Sequence, residues 1–240
     1  MIRINKYLSM CGVTSRRGAE ALIAEGLVVV NGHTVEKVGT VIDESADVVK
    51  VDGVEVKPVD ELVYVVLNKP PMVMTTLSDP FKRKTVVNFL KKLRQRVYPV
   101  GRLDYDTEGV LLLTNDGELA YRLAHPSFEI AKVYEAMVEG SFTRIAADMI
   151  QKGIRLEDGS LGRARVDILG YVKNTTRLRL TLHEGRKREV KQLCKAVGHK
   201  VIRLRRVEFA GITARGLKTG EWRLLSATEI SRLHTITKTK

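Results

Sequence analysis

The chain has 240 residues, 44% of them hydrophobic and 29% charged, so one large or two modest domains with a buried core are expected and wholesale disorder is excluded. Its 41 Lys and Arg against 28 Asp and Glu leave a formal charge of +13, a field that favours a polyanionic partner. No apolar run approaches the ~18 residues of a membrane span, residues 1–6 lack a signal peptide's apolar stretch, and Cys11 and Cys194 form neither a disulfide framework nor a zinc pattern, which together predict a reducing, cytoplasmic setting.

The charge is uneven. Residues 1–60 carry 7 Lys/Arg and 9 Asp/Glu, a net of −2, whereas the other 180 carry 34 and 19, a net of +15. Ile4, Tyr7, Leu8 and Cys11 recur at helical spacing up to Gly12, and Ser15 caps an expected second helix that buries Ala19, Leu22 and Ile23 and stops at Gly26. Val28-Val29-Val30, Asn31-Gly32 and Thr34-Val35 then read as strand, tight turn and returning strand. Arg16 and Arg17 oppose the dipole of the helix they open, which makes sense if they and its free N–H groups share a phosphate. Residues 3–8, 12–17 and 26–32 resemble the S4 RNA-binding module, which implies recognition of structured RNA through shape and phosphates at the Arg16-Arg17 end. A proline among charges at residues 57–61 suggests a linker.

Residues 62–67 predict a buried strand, ended by Asn68-Lys69-Pro70-Pro71, and residues 85–93 a short helical piece. Val110 to Leu113 predict another buried strand, with Asn115-Asp116-Gly117 as a turn after it. Just before that strand stand Arg102, Asp104, Asp106 and Glu108. Three readings fit this loop. A calcium loop matches at its first positions but puts Leu112 and Asn115 where ligands belong. A structural turn, with Arg102 neutralising the carboxylates, is the second. The third is a catalytic carboxylate kept ionised by a basic partner.

Further along, residues 132–138 alternate as a strand with Tyr134, Ala136 and Val138 on one face, where a Tyr either packs in a core or offers its ring. Leu178, Leu180 and Leu182 alternate likewise. A helix is expected from about Arg186, burying Val190, Leu193, Cys194 and Val197 and stopping at Gly198. Nine basic residues and two acidic ones lie between residues 183 and 206. Arg188, Lys191 and Lys195 line a stripe that is either a row of cations for phosphate or a solvated face. Residues 235–240 read as a disordered end, the last four (237–240) as a polar tail.

Gly101-Arg102-Leu103-Asp104, followed by residues 107–117 (Thr-Glu-Gly-Val-Leu-Leu-Leu-Thr-Asn-Asp-Gly), resembles the signature of RsuA/RluB-type ribosomal RNA pseudouridine synthases, and the likeness runs over about residues 2–233. It implies an α+β chain: a small S4 domain of helices and short strands over 1–60, then a mixed or antiparallel-sheet catalytic domain over 61–236. It also implies isomerisation of a uridine without cofactor or metal, with Asp104 as the catalytic aspartate. Tyr134, after Lys132, takes the family's stacking and proton-shuttling role. Gly185-Arg186 through Glu189, Val190 and Lys191 matches a second motif, in which Lys191 is the cation expected to pair with Asp104. Leu204 becomes the apolar contact beneath the target base. Arg186, in the motif, and Arg188 and Lys195, from the stripe on the helix, are the expected substrate-binding cations. Arg102 either binds the flanking phosphate or braces the loop. Glu189 and Lys191 stand where many members carry Gln and Arg, and an ammonium keeps the charge without the bidentate fork. The partner implied is ribosomal RNA or a pre-ribosomal particle, large subunit favoured and small subunit open, met by a monomer away from membranes. The rival is a non-catalytic RNA-binding ribosome-assembly factor on the same fold.

Overall fold

The computed structural model describes residues 1–59 and 61–238 and divides into two compact units, Met1–Leu62 and Val63–Lys240. In the first, α1 (Ile4–Met10) buries Ile4, Tyr7 and Leu8, and α2 (Arg16–Ala24) buries Ala19 and Ile23. The Ser15 hydroxyl accepts the Gly18 N–H at 2.9 Å, capping α2, and Arg16 and Arg17 are exposed at its first two positions. β1 (Val28–Val30) is flanked by β2 (His33–Thr34) and β3 (Val49–Val51), with β4 (Val54–Glu55) outside β3. Asn31 (φ 50°) and Gly32 (φ 84°) are both left-handed, as the two-residue turn between β1 and β2 demands.

The second unit is built on a nine-stranded sheet. Its longer strands are β5 (Tyr64–Lys69), β6 (Glu108–Thr114), β7 (Lys132–Glu139), β8 (Arg165–Val172), β9 (Thr175–Leu182), β10 (Val201–Phe209) and β11 (Trp222–Leu224), in the order β8-β9-β7-β10-β6-β5-β11. Among the described residues four α-helices accompany it: α3 (Gly117–Ala124), α4 (Arg144–Lys152), α5 (Glu189–Ala196) and α6 (Ala227–Lys238). The alternating leucines of β9 join Ala136, Val138 and Leu204 in a core with α4 and α5. β5 and β6 are buried on both faces: Val66 and Leu112 pack in a cluster with residues of α3 and α6, Leu67 and Leu111 in another with Val86 and Leu103. That is why these strands read as continuous apolar runs rather than as alternation. The longest helix, α6, has 12 residues, and among the described residues no helix is long and apolar enough to cross a membrane.

Among the described residues the registered strand pairs are antiparallel except where β10 meets β6, with Arg205 opposite Glu108 and Arg206 opposite Gly109. Gly109 has φ 106°, and a Cβ there would lie 2.2 Å from the Arg206 carbonyl oxygen. Only glycine permits that approach. The join brings the acidic loop before β6 up against the basic strand β10, more than ninety residues later in the chain.

Several expectations need correcting. β5 continues through Asn68 and Lys69, opposite Val110 and Gly109, and stops only at Pro70, which lacks the N–H a ladder needs. The turn at residues 115–117 starts a helix instead: the Asp116 carboxylate accepts the N–H groups of Glu118 (3.1 Å) and Leu119 (2.9 Å) and caps α3. The helical piece at 85–93 is one 3₁₀ turn, Val86–Phe89. α5 begins at Glu189 rather than Arg186, because Arg188 sits in the left-handed region at φ 55° and a right-handed helix cannot run through it. Residues 235–238 are helical, with Thr237 buried, so they are no disordered end; residues 239 and 240 lie outside the described residues.

Candidate active site

Asp104 opens a turn. The Thr107 N–H donates to the Asp104 carbonyl at 3.1 Å, closing residues 104–107 into a β-turn with Tyr105 and Asp106 exposed at its tip. Behind the turn, at the end of β5, lies the fully buried Lys69. Its ammonium donates to the carbonyls of Thr107 (2.8 Å), Pro70 (3.0 Å), Asp104 (3.2 Å) and, more weakly, Tyr105 (3.4 Å). Burial draws Lys69 down to about 8, against the opposing charges of Asp106 and Asp104. A cation shared among four carbonyls draws them to one point behind the turn and so fixes the path of the loop. Sequence reading took Lys69 only as a strand terminator. The available signal was a lysine directly following an apolar run, a place where a charge must find partners.

Asp104, Tyr134 and Leu204, from three distant segments, line one cleft of about 510 Å³. Leu204 is buried, and the half-buried Tyr134 packs against two of the hydrophobic cores. Among the described residues the Asp104 carboxylate has no hydrogen-bond or ion-pair partner. The walls carry six Lys/Arg (Arg102, Lys132, Arg186, Lys187, Arg188 and Arg206) and three Asp/Glu (Asp104, Glu184 and Glu189). The cleft is therefore a cationic trough around one unpaired carboxylate.

Lys191 meets Asp106, not Asp104. Its Nζ lies 2.5 Å from Asp106 Oδ1, which moves the expected pairing by two residues. The turn is the reason: Asp106 projects from its tip to α5, while Asp104 faces the cleft. Burial pushes the Asp106 carboxyl up, but the Lys191 hydrogen bond and charge, with Arg188 beyond, outweigh it and hold the group below its ordinary value. Glu108 braces the same loop through an ion pair to Arg203.

The cationic wall is also rearranged. Arg186 lines the cleft, but its guanidinium is anchored to Ser160 Oγ (2.5 Å), the Leu161 carbonyl (2.9 Å) and Glu184 (2.7 Å). Arg188 lines the cleft from the residue before α5. Lys195 is paired with Glu157 at 2.5 Å and, like Lys191, does not line it; those two lysines keep their spacing on α5, while Arg188, left-handed before the helix, stands outside that spacing. Deeper in stand three groups the sequence did not single out as site residues. Lys132 is buried, donates to the Ile130 carbonyl at 3.0 Å and is drawn down to about 8 by burial and by nearby Arg206. Arg206 is 2% exposed, gives its Nε–H to the Val110 carbonyl at 2.8 Å and lies over the Phe209 ring, leaving Nη2 unpartnered. Glu189 accepts the Arg186 N–H through Oε2 at 3.1 Å while Oε1 has no partner, and burial raises its carboxyl.

A carboxylate without a partner, an aromatic ring and a cationic wall in one cleft suit a polyanionic ligand. Comparison with known proteins makes this specific. Residues 63–196 match the model of the RNA pseudouridylate synthase family, and residues 2–48 that of the S4 domain. The ribosomal large subunit pseudouridine synthase B of Bacillus subtilis (strain 168) is 44% identical over 238 residues, covering 98% of this chain and 97% of that protein. The protein of the same name from Yersinia pestis is 39% identical, covering 92% of this chain and 71% of its own. A crystal structure of a pseudouridylate synthase aligns with a TM-score of 0.71 at 27% identity, over 97% of this chain and 100% of that one. The chain belongs to the RNA pseudouridine synthase family, whose members are isomerases, and carries an S4 domain ahead of the synthase domain.

Proposed function

We propose that this chain isomerises a uridine of ribosomal RNA, the large subunit favoured, and that Asp104 is the catalytic carboxylate. The observation that carries the assignment is the cleft itself, where the unpaired Asp104 carboxylate shares one space with Tyr134 and Leu204. The reaction breaks the bond between N1 and C1′ of the ribose and forms one between C5 and C1′; the C5 proton is lost and N1 gains one. Atoms and electrons balance within the nucleoside, so the chemistry calls for no redox partner or cofactor. The uridine must leave its stack to reach Asp104. Tyr134 offers a face for the ring and Leu204 an apolar floor, while the cationic wall holds the flanking phosphates. Lys191 acts at one remove, fixing Asp106 and with it the turn that aims Asp104. The ribosomal substrate follows from the likeness to the two large-subunit enzymes. Two free thiols, Cys11 and Cys194, suit a reducing cytoplasmic setting.

The test is chemical mapping of pseudouridine in ribosomal RNA from cells with and without the protein, joined to Asp104→Asn and Asp104→Ala in vitro. One pseudouridine is expected to vanish without the protein. Both variants should lose turnover by at least about 10³-fold, as loss of a covalent or general-base group does, while RNA affinity changes less than about threefold. RNA binding by the wild type with no pseudouridine formed would make it an assembly factor instead.

A further inference from the structure

The acidic loop is not the only feature rooted at Asp104. The Val73 N–H donates to the Tyr105 carbonyl at 3.2 Å and the Thr75 hydroxyl to the Leu103 carbonyl at 2.7 Å, one on each side of Asp104. From there residues 75–84 leave as an arm. Its neck is closed by Met74 N–H to the Lys84 carbonyl (2.9 Å) and Val86 N–H to the Met74 carbonyl (3.0 Å). At the tip Phe81 is 76% exposed.

That exposure is built in. Asp79 accepts the backbone N–H groups of Phe81 (3.1 Å) and Arg83 (3.0 Å) and grips the Arg83 guanidinium, with Nη2 to Oδ1 at 2.6 Å. The Arg83 guanidinium carbon in turn lies 5.1 Å from the Phe81 ring centroid. A large apolar ring is thus held in water by a hydrogen-bonded turn, with a cation against it. The surroundings are cationic: residues 82–96 contain seven Lys/Arg and no Asp/Glu. Among the described residues no ion pair involves Lys82, Lys84 or Lys91, and a shallow hollow runs between them and Asn88.

We infer that this arm is a second nucleic-acid site, in which Phe81 stacks on an unpaired base of the substrate strand near the target uridine while Lys82, Lys84 and Lys91 hold its phosphates. Lys84 Nζ lies 4.6 Å from the Phe89 ring centroid, a contact that leaves its charge unneutralised. An exposed ring beside cations without ion-pair partners is the surface that single-stranded RNA selects, because any base can stack and every linkage carries charge. Anchorage on both sides of Asp104 ties the stacked base to the position of the reacting one, so the arm sets which uridine is presented. The inference rests on the proposed activity, and goes beyond it by assigning a nucleotide-binding site outside the cleft.

Binding and turnover on an in vitro transcript of large-subunit ribosomal RNA test it with the full-length protein. Phe81→Ala should raise Kd and KM about tenfold with kcat unchanged. Lys82→Ala combined with Lys84→Ala should flatten the salt slope of log K by about 1.4. Phe81→Trp should bind as the wild type does, and its indole emission should be quenched by the transcript, which a merely structural Phe81 would not produce. If the wild type forms pseudouridine but Phe81→Ala binds normally and Trp at 81 is unquenched, the arm assignment fails and the activity stands. If the wild type forms none, the activity itself is wrong. Variants that bind naked RNA normally yet bind ribosomal particles weakly would assign the arm to a ribosomal protein and overturn the inference.

Discussion

Lys69 and Lys132 are both buried and both drawn down to about 8 by loss of hydration. Each therefore binds fewer protons folded than unfolded between pH 8 and 10.5. Stability rises with pH wherever the unfolded state holds more protons, so each lysine contributes a positive slope of up to ~1.4 kcal/mol per pH unit in that window. Below pH 8 both are charged in either state, and the cost of burying them is fully present. Lys132→Met should remove one such slope. Urea midpoints of wild type and variant, compared at pH 8, 9 and 10, are expected to draw together as pH rises, with the variant the more stable at pH 8. A constant difference would mean that Lys132 keeps its ordinary affinity for protons.

Elements meet at two places that decide the site. At the join of β6 and β10, Gly109→Ala would drive a methyl group to within 2.2 Å of the Arg206 carbonyl oxygen from a left-handed backbone. A loss of roughly 2 kcal/mol or more is expected in denaturant melts, since both strain and a displaced strand contribute. At the start of α5, Arg188 faces the cleft while Lys195, two turns on, is tied to Glu157. Arg188→Ala should lower RNA affinity and reduce the slope of log K against log salt by about 0.7 to 0.9, whereas Lys195→Ala should leave that slope unchanged. Equal slopes for the two variants would restore the single cationic stripe that periodicity suggested.

Across the whole molecule charge and structure divide together. The first unit has its own hydrophobic core, built from α1, α2 and the short strands, and residues 1–60 are net acidic, whereas the remainder holds a net of +15. RNA affinity from the first unit must therefore be local. Arg16 and Arg17 are exposed at the first two positions of α2, where the helix's positive end adds to their charge. Replacing both with Ala should weaken binding to the ribosomal RNA transcript about tenfold and reduce the salt slope by about 1.4 to 1.8, leaving kcat unaltered. Filter binding at several salt concentrations, beside single-turnover kinetics, separates that outcome from an effect on chemistry.

The residues that bury apolar surface were legible in the chain itself. Period 2 in β9, period 3.6 in α1 and α5, the Ser15 cap and the Asn31-Gly32 turn all follow from local backbone sterics and the need to bury one face. The loop with Asp104 was legible because turn residues and carboxylates crowd before a solid apolar strand. Local sterics could not say which carboxylate Lys191 would reach. Asp104 and Asp106 are equivalent as charges, and only the turn, braced from behind by Lys69, sends one to the cleft and the other to α5. The commitments of Lys69 and Arg206 were hidden for the same reason: Lys69 reaches the carbonyls of Asp104 and Thr107 and Arg206 that of Val110, each tens of residues away in the chain. Periodicity records which face of an element is apolar; the pairing of buried charges is set by strand register and loop path, which exist only once the chain has folded.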